Sequence, residues 1–489
     1  MENTKSKVLS GLIWKFAERI SAQVVTFVVS VILARLLAPD AYGLITLVMI
    51  FITFANCIVT NGFGNALIQK KDSDNLDFST VLYFQTGASI VLYLILFFTA
   101  PLIASFYGEG YELLTPVLRV MGIRIPLTSI NNVQQAYVGK KMIFRKFFLS
   151  TIVGTVVSAV VGIYMAYAGY GVWALVGQYL TNTLMGTVIL AFTIHWKPEL
   201  RFSWSRLKIL FRYGWKLLVA GLIGEIYNEL RLLVIGKLYT NNDLAFFDKG
   251  KQIPNIIVTN INTTISNVLF PAISNAQGNP SDVKNMVRRS IRTTTYIMCP
   301  LMFGLAVVAE PLITLLLTEK WLPCVPYLQI YCIAFAFEPI QTANLQAIKA
   351  VGRSDILLKL EIIKKGSGFA ILLAVMWHSV EAIALSLLAT TLIASIVNTL
   401  PNKKLIGYSY KELVIDLSGG IIPSTVMAVA VYFIGTLLSL SPLPLMIVQV
   451  AAGGVIYLLI SVIFKIEAFT YLRKTAMEFL SSFLKKKSA

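Results

Sequence analysis

The sequence predicts an all-α polytopic membrane protein of about fourteen transmembrane helices. Three observations predict it. The 489 residues are 56% hydrophobic and only 13% charged, about half the charged share of a soluble protein. Apolar runs long enough to cross about 30 Å of hydrocarbon recur along the whole chain. The connections between those runs alternate between rich and poor in Lys and Arg. The net charge of +18 therefore marks cytoplasmic connections rather than a nucleic-acid surface, and no nucleic-acid partner is expected.

The runs fall near residues 9–34, 41–68, 78–106, 111–138, 145–168 and 171–194, then 210–239, 252–275, 293–317, 325–348, 357–378 and 381–400, then 419–440 and 443–464. The first is too long and too polar on one face for a cleaved signal, so it is expected to stay as a helix. With both termini in the cytoplasm, 29 of the 42 basic residues lie in inside segments and 5 in outside loops, the other 8 lying within spans. That asymmetry follows the positive-inside rule. Outside connections such as Tyr107-Gly108-Glu109-Gly110 and Leu440-Ser441-Pro442 are bare turns, leaving no room for an outer domain.

The organisation is an N-lobe at 1–194 (spans one to six), a cytoplasmic linker at 195–209 holding Pro198 and Trp204, and a C-lobe at 210–400 (spans seven to twelve). Spans thirteen and fourteen follow at 401–465. The tail, 466–489, places Phe469, Leu472, Ala476, Phe479, Leu480 and Phe483 at helical spacing before Lys485-Lys486-Lys487. It reads as an amphipathic basic helix on an anionic leaflet. Trp14-Lys15 answers Trp215-Lys216, Ala34-Arg35-Leu36 answers Gly236-Lys237-Leu238, and Gln135-Ala136 answers Gln346-Ala347 in the same order. An even number of spans per repeat makes the lobes parallel, related by an axis along the membrane normal. Two parallel six-helix lobes around a central cavity, with two extra C-terminal helices, are the architecture of an alternating-access transporter.

Lys15, Arg19, Arg119, Arg124, Lys216, Arg231, Lys364 and Lys365 lie inside spans. Each such charge costs about 2.5–3.5 kcal/mol on insertion scales and survives against water, a partner or a ligand. The first helices of the two lobes would present Lys15, Arg19, Lys216 and Arg231 to one space, joined by Arg124 just before Pro126. Such a cationic pocket suits a diphosphate, since Arg makes bidentate bonds to phosphate and Lys adds point charge. Internal pairing stays open: Glu18 with Lys15, Glu229 with Arg231, Glu361 with Lys364 and Lys365. Glu225 and Glu229, one turn apart, could share a proton and couple transport to an ion, or could serve salt bridges. Cys57, Cys299, Cys324 and Cys332 lack metal-ligand spacing and read as small apolar packing residues. His195 and His378 are isolated loop histidines. Asn61-Gly62-Phe63-Gly64-Asn65 lacks the Lys-Ser/Thr of a phosphate loop, so its glycines read as close-packing sites. Phe270-Pro271-Ala272 should bend or end span eight. No catalytic constellation, metal or cofactor site is visible.

Trp14, Gln23, the run Ala34-Arg35-Leu36-Leu37-Ala38-Pro39-Asp40-Ala41-Tyr42-Gly43, the run Asn61 to Lys70 and Leu269-Phe270-Pro271-Ala272-Ile273-Ser274 together resemble the Wzx-type polysaccharide transporter flippases. These belong to the multidrug/oligosaccharidyl-lipid/polysaccharide exporter superfamily, and the resemblance is closest to the lipopolysaccharide, colanic acid and teichuronic acid exporters. It implies a fourteen-span bilobed fold in a bacterial inner membrane. It also implies a lipid substrate, an undecaprenyl-diphosphate-linked oligosaccharide, moved to the outer leaflet for surface polysaccharide synthesis, with a polysaccharide polymerase and export machinery as partners. No binding residues carry over, because that family has no strict motif. A drug/cation antiporter of the same superfamily should favour an acidic cavity. A membrane sugar polymerase should need a large outer loop.

Overall fold

The computed structural model describes the backbone of residues 2–194, 196–276 and 279–487; the side chains of 2–13, 15–19, 213, 354, 479–480 and 482–487 lie outside the description. The described chain is helical throughout, without strands. It divides into two compact units, Met1–Ala245 and Phe246–Ala489.

The first unit holds α1 (Glu2–Leu36), α2 (Pro39–Thr60), α3 (Phe63–Gln69), α4 (Asn75–Tyr107), α5 (Leu114–Met121), α6 (Arg124–Lys141), α7 (Phe144–Tyr167), α8 (Val172–Ile194) and α9 (Trp204–Leu238). Its helix ends follow from the sequence. Pro39 opens α2, where its fixed φ suits the first turn, with Asp40 against the positive helix end. Asp74 and Asp77 form a reciprocal capping box at the start of α4. Two glycines set the packing. A Cβ on Gly43 would lie 1.9 Å from the carbonyl oxygen of Asn241, and one on Gly62 would lie 2.3 Å from that of Gly214 in α9. Gly62 also has φ +92°, a conformation that favours glycine. Gly62 in the Asn61–Asn65 run thus allows a close backbone approach, while Gly64 faces the Asn132 side chain.

One end of this unit is laced by charge. Asp77 is fully buried, 2.6 Å from Lys70 and 3.4 Å from Arg206. Lys140 donates to the carbonyls of Ile68 and Lys71, both at 3.2 Å, and of Lys70. The segment before α9 is pinned to α4: Trp196 Nε1 donates to Asn75 Oδ1, and the Glu199 N–H donates to Ser79 Oγ at 2.8 Å.

α10 (Asn241–Asn275) starts in the first unit and runs into the second. There follow α11 (Pro280–Val307), α12 (Ala309–Leu317), a 3-10 turn at Glu319–Cys324, α13 (Val325–Ala336), α14 (Glu338–Ala350), α15 (Ser354–Val375), α16 (Val380–Ile406), α17 (Tyr410–Leu437), α18 (Pro442–Ile463) and α19 (Glu467–Lys487). α11 and α17 are clamped together by Asp416, which accepts from Arg288, Arg292 and the Tyr408 hydroxyl. Lys284 and Arg288 also pair with Glu412, and Arg292 pairs with Glu467 of α19. The four cysteines are buried and unbridged.

Among the described residues, eight helices are long and apolar enough to cross a membrane, or nine if the pair α11–α12, bent by 69°, is one span. The other predicted spans fall on α1, α5–α6, α9, α13–α14 and α15, which carry charge or are broken. Helices also begin before their apolar stretches. α9 starts at Trp204 and α11 at Pro280, because a capped polar turn continues a helix past the hydrophobic zone.

Candidate functional site

The fourth predicted span is broken, and the break makes the site. Pro126 has no N–H to donate to the carbonyl four residues back, Gly122. The Ile125 N–H takes that carbonyl instead at 2.9 Å, and the Ile123 N–H reaches only to Val120 at 3.2 Å. The ladder tightens for one turn and separates α5 from α6. Gly122 fits there because a Cβ would meet the Tyr93 ring at 2.7 Å.

Arg124 is the first residue past the break. Its Nε donates to Thr183 Oγ1 of α8 at 2.9 Å, one terminal nitrogen lies 3.3 Å from Met49 Sδ of α2, and its guanidinium sits 5.5 Å from the Tyr179 ring centre. All three partners are neutral. Arg119, one turn before the break, is satisfied differently: it donates to the Phe97 carbonyl at 3.1 Å and covers that ring at 4.5 Å. Arg124 is therefore a half-buried cation, held in place but not neutralised by any carboxylate among the described residues.

Neutral polar side chains recur on α6, α7 and α8 of the first unit. Asn182 of α8 reaches Ser158 at 3.3 Å and Thr155 at 3.5 Å on α7, and Thr187 donates to the Thr183 carbonyl at 2.8 Å. On α6, Thr128 Oγ1, Asn132 Oδ1 and Gln134 Oε1 are buried with no hydrogen-bond partner among the described residues. Hydroxyl-rich ligands are bound by such groups. Sequence reasoning missed them because it weighted charge alone; the run Asn131-Asn132-Val133-Gln134-Gln135 inside an apolar span was the available signal.

The second unit repeats the device with opposite charge. α13 and α14 are interrupted at Phe337, just before Glu338-Pro339. Glu338 accepts from Asn262 of α10 at 3.0 Å. Arg124 and Glu338 thus hold equivalent places, each the first residue of the second half of a proline-broken helix.

The other expected site residues fall as follows. The side chains of Lys15 and Arg19 lie outside the described residues. Lys216 is exposed on α9, while Glu225, Glu229 and Arg231 are half-buried on the same helix. Glu229 and Arg231 are both engaged with other groups, and none of the α9 residues is among the partners of Arg124. Lys364 pairs with Glu361 at 2.5 Å, the internal pairing left open above.

Broken spans carrying charge inside an otherwise apolar helical protein define a membrane transporter. The fold agrees: it superposes on the lipid II flippase MurJ in its inward closed conformation with a TM-score of 0.76, at 15% identity over 93% of this chain and 98% of that one. A multidrug resistance MATE family transporter in its inward-facing conformation aligns with a TM-score of 0.63, at 15% identity over 79% of this chain and 94% of that one.

The chain belongs to the polysaccharide biosynthesis protein family, whose model matches residues 32–326. It is 24% identical to teichuronic acid biosynthesis protein TuaB of Bacillus subtilis over 73% of this chain and 74% of that one. It is 22% identical to lipopolysaccharide biosynthesis protein WzxC of Escherichia coli over 84% of each, and 23% identical to succinoglycan biosynthesis transport protein ExoT of Rhizobium meliloti over 70% of this chain and 69% of that one. The kinship expected from Ala34–Gly43 and its companions holds.

Proposed function

We propose that this chain is a flippase that carries an oligosaccharide on a long-chain lipid diphosphate from the cytoplasmic to the outer leaflet of a bacterial inner membrane, by alternating access. The observation that carries this reading is Arg124, anchored on Thr183, Met49 and Tyr179 with no carboxylate against it among the described residues. A cation left unneutralised in such a setting favours an anionic guest, and a planar guanidinium matches a phosphate. The neutral amides and hydroxyls of α6, α7 and α8 suit the sugar. Membership of a polysaccharide biosynthesis family supports the same substrate class.

Within this reading Lys15, Arg19, Lys216 and Arg231 complete the diphosphate site, and Glu225 and Glu229 couple transport to an ion. The fourteen spans form two six-helix lobes, 1–194 and 210–400, joined by 195–209, and both termini lie in the cytoplasm. Spans thirteen and fourteen (401–465) and the basic tail (466–489) contact lipid. A polysaccharide polymerase consumes the product. The test is complementation of a host lacking its own flippase. Arg124→Ala at normal protein level should abolish surface polysaccharide and Arg124→Lys should restore part of it. Full activity of Arg124→Ala would remove Arg124 from the site.

A further inference from the structure

A groove separate from the Arg124 site lies at the start of α9. Trp204, Leu207, Lys208, Phe211, Arg212 and Trp215 recur at spacings of three and one, so they share one helical face. With Phe84 of α4 they line a cavity of about 530 Å³. From Trp204 to Trp215 the groove runs about 16 Å along the helix. Leu207 is its buried floor, while Trp204, Phe211 and Trp215 are open rims. The walls are fixed: the Phe63 ring packs on those of Phe84 and Phe211 at 5.3 and 6.1 Å, and Gly62 meets Gly214 backbone to backbone.

Among the described residues, the charges on this groove are uncompensated. Lys208 and Arg212 are exposed, and among the described residues neither lies in an ion pair. Arg206, on the other side of the same helix turn, is held by Asp74 and Asp77. Acidic residues are thus at hand but serve the other face. Two cations one turn apart, about 5–6 Å, above an aromatic trough match a lipid that bears adjacent phosphates. A phospholipid with a single phosphate would leave one cation unmatched.

We propose that the α9 groove is a docking station for the lipid diphosphate carrier, with Lys208 and Arg212 on its two phosphates and the first isoprenoid units among Phe84, Phe211 and Trp215. It loads substrate from the bilayer ahead of the Arg124 site. The proposal rests on the flippase reading and names a separate residue set for capture. The test is binding of undecaprenyl diphosphate, undecaprenyl phosphate and phosphatidylglycerol to the full-length protein in detergent, followed by native mass spectrometry. Wild type should prefer the diphosphate by about tenfold over either monophosphate lipid, equivalent to about 1.4 kcal/mol. Lys208→Gln/Arg212→Gln should lose that preference, Lys208→Arg should keep it, and Trp215→Ala should weaken the lipid diphosphate without changing binding of inorganic diphosphate, which has no isoprenoid chain. Diphosphate binding unchanged in Lys208→Gln/Arg212→Gln overturns the station and leaves the flippase reading intact. Equal binding of phosphatidylglycerol, lost in the same variant, overturns it in favour of an ordinary anionic-lipid site. Failure of wild type to bind the diphosphate at all overturns the station and the substrate reading together.

Discussion

Replacing Asp416 by Ala should destabilise the second unit severely. Its carboxylate is fully buried and accepts four hydrogen bonds: from Arg288 at 2.8 and 2.9 Å, from Arg292 at 2.6 Å and from the Tyr408 hydroxyl at 3.0 Å. Truncation removes the carboxylate that two guanidiniums share and takes the acceptor from a buried hydroxyl. Breaking a buried ion pair from one side costs about 3–5 kcal/mol. The Arg288 and Arg292 side chains are about a quarter exposed and keep Glu412 and Glu467 as residual partners, so the lower end, about 3 kcal/mol, is expected. The Arg353–Asp355 pair is the control. Both its side chains are half exposed at 2.8 Å, where solvent screening leaves such pairs little net effect. Thermal unfolding of purified protein in detergent should show Asp416→Ala melting well below wild type and Asp355→Ala close to it. Equal midpoints for the two variants would refute the argument that Asp416 clamps α11 to α17.

Gly62→Ala should lower the melting midpoint strongly, since its Cβ would lie 2.3 Å from a backbone carbonyl at a positive φ. Gly87→Ala, with nothing within 4 Å, should be neutral or stabilising by up to about 1 kcal/mol. Asp74, held down to about 2 by the hydrogen bond from Arg206, should contribute stability that is present above the ordinary aspartate value of about 3.9 and lost as pH falls through about 2. Asp74 is half exposed, so the effect is small. Asp74→Asn should flatten the acid limb of a stability–pH profile between about pH 4 and pH 2.

Much of the fold was written in hydrophobic period and in proline. Pro39 marked the turn into α2, and Pro126 marked the disturbed helix beside Arg124. The breaks before Pro339 and at Val308, two residues before Glu310-Pro311, obey the same rule but sit in runs too apolar to draw notice. Helix starts were less legible, because hydropathy sees only the stretch that lipid would cover. Lys284, Arg288, Arg289 and Arg292 read as loop charges, yet they ride on α11, where three of them pair with Asp416, Glu412 or Glu467. That pairing spans more than 120 residues and leaves no local signature. Within the site, Arg124 could be found by its charge. The hydroxyl of Thr183 and the sulfur of Met49 could be assigned to it only once α8 and α2 were assembled around α6.

Reconstitution of the full-length protein in sealed vesicles with a labelled lipid-diphosphate-linked oligosaccharide, read as loss of accessibility to an external glycan-modifying enzyme, measures the central event itself. Wild type should equilibrate label between leaflets, Arg124→Ala should fall to the rate of protein-free vesicles, and Arg124→Lys should be intermediate. Flipping by Arg124→Ala at the wild-type rate would contradict the account.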